Sequence, residues 1–179
     1  MEFKKEFEEI FLSQIVSIGG GLFAGTILAI YVDRIFLIPG ILLIFPAFLD
    51  LRGNISGSLA SRLSSGLFLG IVKPKISNTK IIRGNLVASL LLAILISFFL
   101  GVIAFLFNYV IIGKFIPVLI VVPVVAGVIA NIIEVPITLF MTFYIFKKGH
   151  DPNNIMGPFV TSTGDIISIL SLLFTLVIL

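Results

Sequence analysis

Residues 84–113 contain no Asp, Glu, Lys or Arg. About 20 consecutive apolar residues suffice for a helix to cross the hydrocarbon of a bilayer, whereas a membrane strand needs only about 10. A backbone held in lipid must satisfy its own hydrogen bonds, so a run of this length is predicted to be a transmembrane helix. The feature repeats along the chain. Residues 10–32 are uncharged, 115–146 carry only Glu134, and 155–179 carry only Asp165. Composition agrees: 59% of the 179 residues are hydrophobic and 12% charged, against about 45–50% and 25% in soluble domains. The expected fold class is therefore all-α integral membrane. Its 12 basic residues lie scattered between apolar runs and form no basic stripe, which argues against a nucleic-acid partner. Without Cys, and with His150 as its one histidine, the chain has no disulfide framework, thiolate metal site or Cys nucleophile.

Residues 35–72 are also mostly apolar, but Asp50, Arg52 and Arg62 interrupt them. Two crossings here would leave about 16 residues each, short for a helix. One long span is predicted instead, entered at Pro39-Gly40, containing Pro46 and emerging near Arg62. The expected organisation is a short cytoplasmic amphipathic segment over residues 1–9 and a transmembrane domain over 10–179. Its five spans cover about 10–32, 41–66, 84–112, 116–146 and 155–179. The segment MEFKKEFEEI has mixed charge, places Phe3, Phe7, Ile10 and Phe11 at helical spacing, and has no cleavage site after it, so a signal peptide is not expected. Loop cations set orientation. Eight lie on one side (Lys4, Lys5, Lys73, Lys75, Lys80, Arg83, Lys147, Lys148) and two, Arg34 and Lys114, on the other. That split predicts a cytoplasmic N-terminus and an external C-terminus, in a cell membrane.

Ionisable groups inside spans are costly and mark functional positions. In the second span Asp50, Asn54, Ser58 and Arg62 recur every four residues and share one face. Gly53 and Gly57 offer a close approach to another backbone. In the last span Pro158, Thr161, Asp165 and Ser168 share a face, with Gly164 beside the carboxylate. In the fourth, Asn131, Glu134 and Thr138 do the same, and Pro136 loosens the helix nearby. Glu134 has two readings, a pair with Arg52 or Arg62 and a place on the same path as Asp165. Asp151 before Pro152 reads as a helix cap, and Asn85 and Asn108 as interfacial or interhelical hydrogen bonders. Oxygen donors without thiolate or imidazole favour a hard cation such as Mg2+, Ca2+, Na+ or H+. Five helices enclose little room for a hydrated ion, so a symmetric dimer that brings two copies of Asp165 and Asn54 around one pore is expected.

These residues carry a family resemblance. PAFLDLRGNISGSLASR, residues 46–62, resembles the proline, Gly-Asn and small-residue signature in the second span of MgtE-type magnesium transporters, closest to the animal solute-carrier branch. DPNNIMGPFVTSTGDIIS, residues 151–168, is similar to the Asp-Pro, Gly-Pro, Thr and Asp pattern of that family's last span. The resemblance implies a homodimeric Mg2+ transport domain with its pore between the second and fifth spans of both subunits. It places the pore aspartate on Asp165 and the Gly-Asn pair on Gly53 and Asn54. Bacterial members carry cytoplasmic Mg2+-sensing domains ahead of the pore, and only about ten residues precede the first span here, so that gating device is not expected.

The expected metal-contacting residues are Asp165, Asn54, Thr161, Gly53, Glu134 and Asp50, acting on hydrated Mg2+, with Ca2+ and Co2+ as further cations. No cofactor is expected, and the partners are a second copy of the chain and the lipid bilayer. Two converging carboxylates repel each other when no cation is bound, so cations and protons should compete. A channel or uniporter is physically adequate, since the membrane potential supplies about 4.6 kcal/mol per 100 mV to a divalent ion. The alternatives are a Na+- or H+-coupled exchanger working in efflux, a carrier for another solute using Asp165 and Glu134 as its relay, and a non-catalytic assembly subunit. An intramembrane lipid transferase would need a denser acidic cluster than one or two acids per span, so an enzyme is not expected.

Overall fold

The computed structural model describes residues 2–35, 38–75 and 79–179. It contains α1 (Glu2–Ile30), a four-residue helix α2 (Val32–Ile35), α3 (Ile41–Phe68), α4 (Lys80–Phe107), α5 (Val118–Lys147) and α6 (Pro152–Ile178). A π-helical turn, Asn108–Ile112, extends α4. Local chemistry fixes the ends. Gly40 precedes α3 with φ of 82°, a left-handed conformation that glycine adopts without steric cost, and a Cβ there would run into the Asn108 side chain. The Thr79 hydroxyl accepts from the Ile82 amide at 3.3 Å at the start of α4. At the start of α6, Asp151 accepts from the Asn153 amide at 2.8 Å and Pro152 follows as the first helical residue, the capping arrangement its sequence implies.

Among the described residues four helices, α1, α4 with its π turn, α5 and α6, are long and apolar enough to cross a membrane. The fifth long helix, α3, differs in composition and not in reach. Its 28 residues span about 42 Å at 1.5 Å per residue, but Asp50, Arg52, Asn54 and Arg62 dilute its apolar character. The amphipathic stretch at the N-terminus and the first span are one uninterrupted helix, α1.

Helices α3, α5 and α6 pack against one another in the centre, α4 covers α5 and α3, and α1 lies against α6. Two apolar clusters hold the bundle at its ends. In one, Ile44 and Phe48 of α3 meet Leu119 and Val122 of α5 and Ile169 and Leu172 of α6. In the other, Leu59, Leu63 and Leu67 of α3 meet Leu139 and Phe143 of α5 and Ile82 of α4. Helices that attract one another only by packing need small residues where they cross. A Cβ on Gly101 would sit 2.7 Å from the Ile120 carbonyl oxygen, and one on Gly20 would sit 2.6 Å from Ser162 Cβ. The periphery is apolar: Leu91, Leu95, Phe99 and Ile103 of α4 and Phe11, Ile15, Leu22 and Phe23 of α1 are all exposed. This inversion of the soluble pattern suits a helix bundle solvated by lipid.

The connections segregate by end. Lys5 Nζ donates to the Gly149 carbonyl at 3.0 Å, Glu9 meets His150 Nδ1 at 2.8 Å and accepts from Asn154 Nδ2 at 3.0 Å. Phe68 packs edge-to-face on Phe146 with centroids 5.3 Å apart. Lys75 lines a cavity together with Phe143 and Lys147. The start of α1, the end of α3 and the α5–α6 turn therefore share one end of the bundle. At the other, Asn108 Nδ2 donates to the Lys114 carbonyl at 2.8 Å beside Gly40. The Arg34 side chain and residues 76–78, part of the polar loop over 73–83, lie outside the described residues.

Candidate functional site

An α-helix turns 100° per residue, so residues four apart nearly superpose in projection and residues two apart point in nearly opposite directions. On α3 this separates two polar sets. Asp50, Asn54, Ser58 and Arg62 are all exposed, along the outer face, whereas Arg52 is fully buried on the inner one. The outer face borders α6, with Gly53 and Gly57 of α3 lining it together with Gly157 and Val160 of α6. The close backbone approach expected at the two α3 glycines does not occur within the described residues: a Cβ on Gly53 would meet nothing within 4 Å, and one on Gly57 only Val160 Cγ2 at 3.9 Å.

The result is a groove of about 220 Å3. From α3 it is lined by Asp50, Gly53 and Asn54, and from α6 by Thr161 and Asp165. Asn54 Nδ2 donates to Asp50 Oδ2 at 3.0 Å, which fixes the amide and leaves its carbonyl oxygen available. Thr161 Oγ1 donates to the Gly157 carbonyl at 3.0 Å, so the hydroxyl's lone pairs are directed away from its own helix. Asp165 is half-buried, and its carboxylate shares the groove with that of Asp50. Two carboxylates, an amide oxygen and a hydroxyl suit a hard cation that keeps part of its water shell. Among the described residues no three His, Cys, Asp or Glu side chains converge as a metal-holding group, so one chain brings at most this pair of acids to the groove.

Five of the six residues singled out in the sequence thus meet, although those on α3 lie over a hundred residues along the chain from those on α6. Glu134 is elsewhere. Its Oε2 lies 2.9 Å from Arg52 Nη2, and Arg52 Nη1 reaches Asn131 Oδ1 at 3.4 Å. Of the two readings open for Glu134, the structure holds the ion pair with Arg52, behind α6 and not in the groove. Ser168, expected on the Asp165 face, is instead fully buried, because each three-residue step falls 60° short of a full turn. Asn85 Nδ2 donates to the Ile81 carbonyl at 3.0 Å within its own helix. Arg52, named in the sequence only as one of two candidate partners of Glu134, is an interior residue, and its offset of two from Asp50 is the signal that turns it inward.

Residues 45–175 match the family model MgtE, described as a divalent cation transporter. The chain is similar to Solute carrier family 41 member 2 of Homo sapiens, of Macaca fascicularis and of Xenopus laevis, at 29% identity over 133 residues in each case. The similarity covers 72% of this chain and 23 to 24% of those relatives, so the chain spans less than a quarter of their length. No solved structure matches it.

Proposed function

The chain belongs to the MgtE family of divalent cation transporters, and on that premise we propose that it carries Mg2+ across a cell membrane along the α3–α6 groove. The observation that carries this reading is the position of Asp50, Asn54, Thr161 and Asp165 together in one groove at the outer surface of a helix pair. A charged side chain facing lipid at mid-membrane costs about 2.5–3.5 kcal/mol on insertion scales, so such a face requires water or protein over it. A second copy of the chain, related by a twofold axis, supplies both. It covers the outer face of α3 and doubles the acids at the axis.

In this homodimer the ion enters with its inner water shell. The two Asp165 carboxylates provide the charge, and Asn54 and Thr161 accept hydrogen bonds from bound water. Gly53 keeps the wall low enough for a hydrated ion to pass, and Asp50 orients Asn54 through their shared hydrogen bond. Mg2+ gives up water reluctantly and is served by one or two carboxylates, which is the number each chain offers. The membrane potential drives uptake without further coupling, as a channel or uniporter. The cation-rich end, with Lys4, Lys5, Lys147 and Lys148, faces the cytoplasm.

The test is Mg2+ flux into proteoliposomes under an imposed potential. Asp165→Asn should abolish most of the Mg2+ flux, since it removes the two carboxylates that supply the charge at the axis, with the protein still folded and dimeric. Flux equal to wild type would remove Asp165 from the path. Flux in the wild type that requires an opposing Na+ or H+ gradient would show an exchanger in place of a uniporter.

A further inference from the structure

The centre of the bundle holds one charged pair that the groove does not use. Arg52 of α3 and Glu134 of α5 are both fully inaccessible and meet at 2.9 Å. Asn131, one turn before Glu134, takes the other arm of the guanidinium at 3.4 Å. The second carboxylate oxygen, Glu134 Oε1, has no hydrogen-bond partner among the described residues. It presses on α6 instead: a Cβ on Gly164 would lie 2.8 Å from it. Gly164 immediately precedes Asp165, and Arg52 lies two residues from both Asp50 and Asn54. A single pair therefore touches all three central helices beside the groove residues.

Two apolar side chains of the same volume would fill this space without the desolvation penalty of burying two ions. What a forked cation and a carboxylate add is direction. Their one short contact, Arg52 Nη2 to Glu134 Oε2, forms in a single rotational and axial register, although Arg52 Nε and Glu134 Oε1 have no partner among the described residues; buried polar residues fix helix register in the same way elsewhere. We propose that Arg52 and Glu134 are positioning residues of the cation path: bridging α3 and α5, with Glu134 against α6, they hold Asp50 and Asn54 at a fixed setting opposite Asp165. Because their charges cancel, the groove keeps its own negative charge. The inference rests on the groove being the cation path.

Two measurements test it. In proteoliposomes, the Mg2+ dependence of flux is compared between wild type, Arg52→Lys and the double variant Arg52→Met/Glu134→Leu. The double variant removes both charges at once. Its half-saturating Mg2+ concentration should rise about tenfold, the scale on which outer-shell partners of metal sites act, with a smaller change in maximal rate. Arg52→Lys should shift it in the same direction, since an ammonium cannot bridge Glu134 and Asn131 as the fork does. Half-saturation equal to wild type in either folded variant overturns the proposal. The register is read independently by electron-spin distance measurement between labels at Leu42→Cys of α3 and Val177→Cys of α6, in the Arg52→Lys background as well as the double variant. A shifted or broadened distance is expected. An unchanged distance overturns the inference while leaving the groove reading intact. Absence of Mg2+ flux in the wild type overturns the groove reading, and the distances still report on the pair.

Discussion

At the scale of single residues, the polar groups fall into two populations with opposite demands. Asp50, Asn54 and Thr161 are exposed in the single chain, whereas Arg52 and Glu134 are wholly buried. Removing one partner of a buried pair leaves the other charge uncompensated, at a cost of about 3–5 kcal/mol. Arg52→Met alone should therefore lower thermal stability in detergent steeply, and adding Glu134→Leu should recover most of the loss. A double variant less stable than Arg52→Met would contradict this. Asp165, Thr161 and Asn54 were legible in the sequence because four-residue spacing puts polar groups on one helical face without reference to any other helix. The partner of Glu134 was not. Arg52 and Arg62 lie ten residues apart on α3, and only the packing of α3 against α5 decides between them.

At the scale of elements, the boundaries were readable wherever charge stops and a capping residue stands. α3 begins at Ile41 after Gly40, and α6 begins at Pro152 after Asp151. The continuity of α1 was harder to read, because the mixed charge of MEFKKEFEEI is compatible with a separate surface helix. In the structure Glu9 reaches across to His150 and Asn154, which ties the polar start of α1 to the α5–α6 turn. Close helix crossings likewise depend on the partner. Glycines occur on every span, yet only some are pressed. Gly101 faces the backbone of α5, with the Ile120 carbonyl oxygen 2.7 Å from a Cβ, whereas nothing lies within 4 Å of a Cβ on Gly19. Gly101→Ala should destabilise the protein by about 1–3 kcal/mol, since backbone cannot yield to overpacking as a side chain does. Gly19→Ala should be neutral or stabilising by up to about 1 kcal/mol, through the higher helix propensity of alanine. Unfolding of the two variants in one detergent checks the contrast, and equal effects would show that the α4–α5 crossing is looser than this geometry.

At the scale of the whole molecule, a lipid-facing exterior and a polar outer stripe on α3 coexist in one chain. In the homodimer proposed above, two copies would close the stripe against each other. The chain has no cysteine, so introduced thiols report without background. Oxidation of Ser58→Cys in membranes should give a covalent dimer, whereas Leu95→Cys, on the apolar exposed face of α4, should remain monomeric. The reverse pattern would place the interface on α4. The distribution of loop cations made the segregation of connections to two ends legible. The meeting of α3 with α6 was not a matter of spacing at all, since no local pattern links residues so far apart in the chain. The pointers to it were the need for a dimeric pore around Asp165 and Asn54 and the family resemblance.

The central claim is that divalent cation passes along the α3–α6 groove, and the most direct measurement of it is block of flux from within. In proteoliposomes carrying Thr161→Cys, a charged, water-soluble thiol reagent should reach the groove and stop Mg2+ flux, and Mg2+ itself should slow the modification. Complete modification that leaves Mg2+ flux at its unmodified rate would contradict the account.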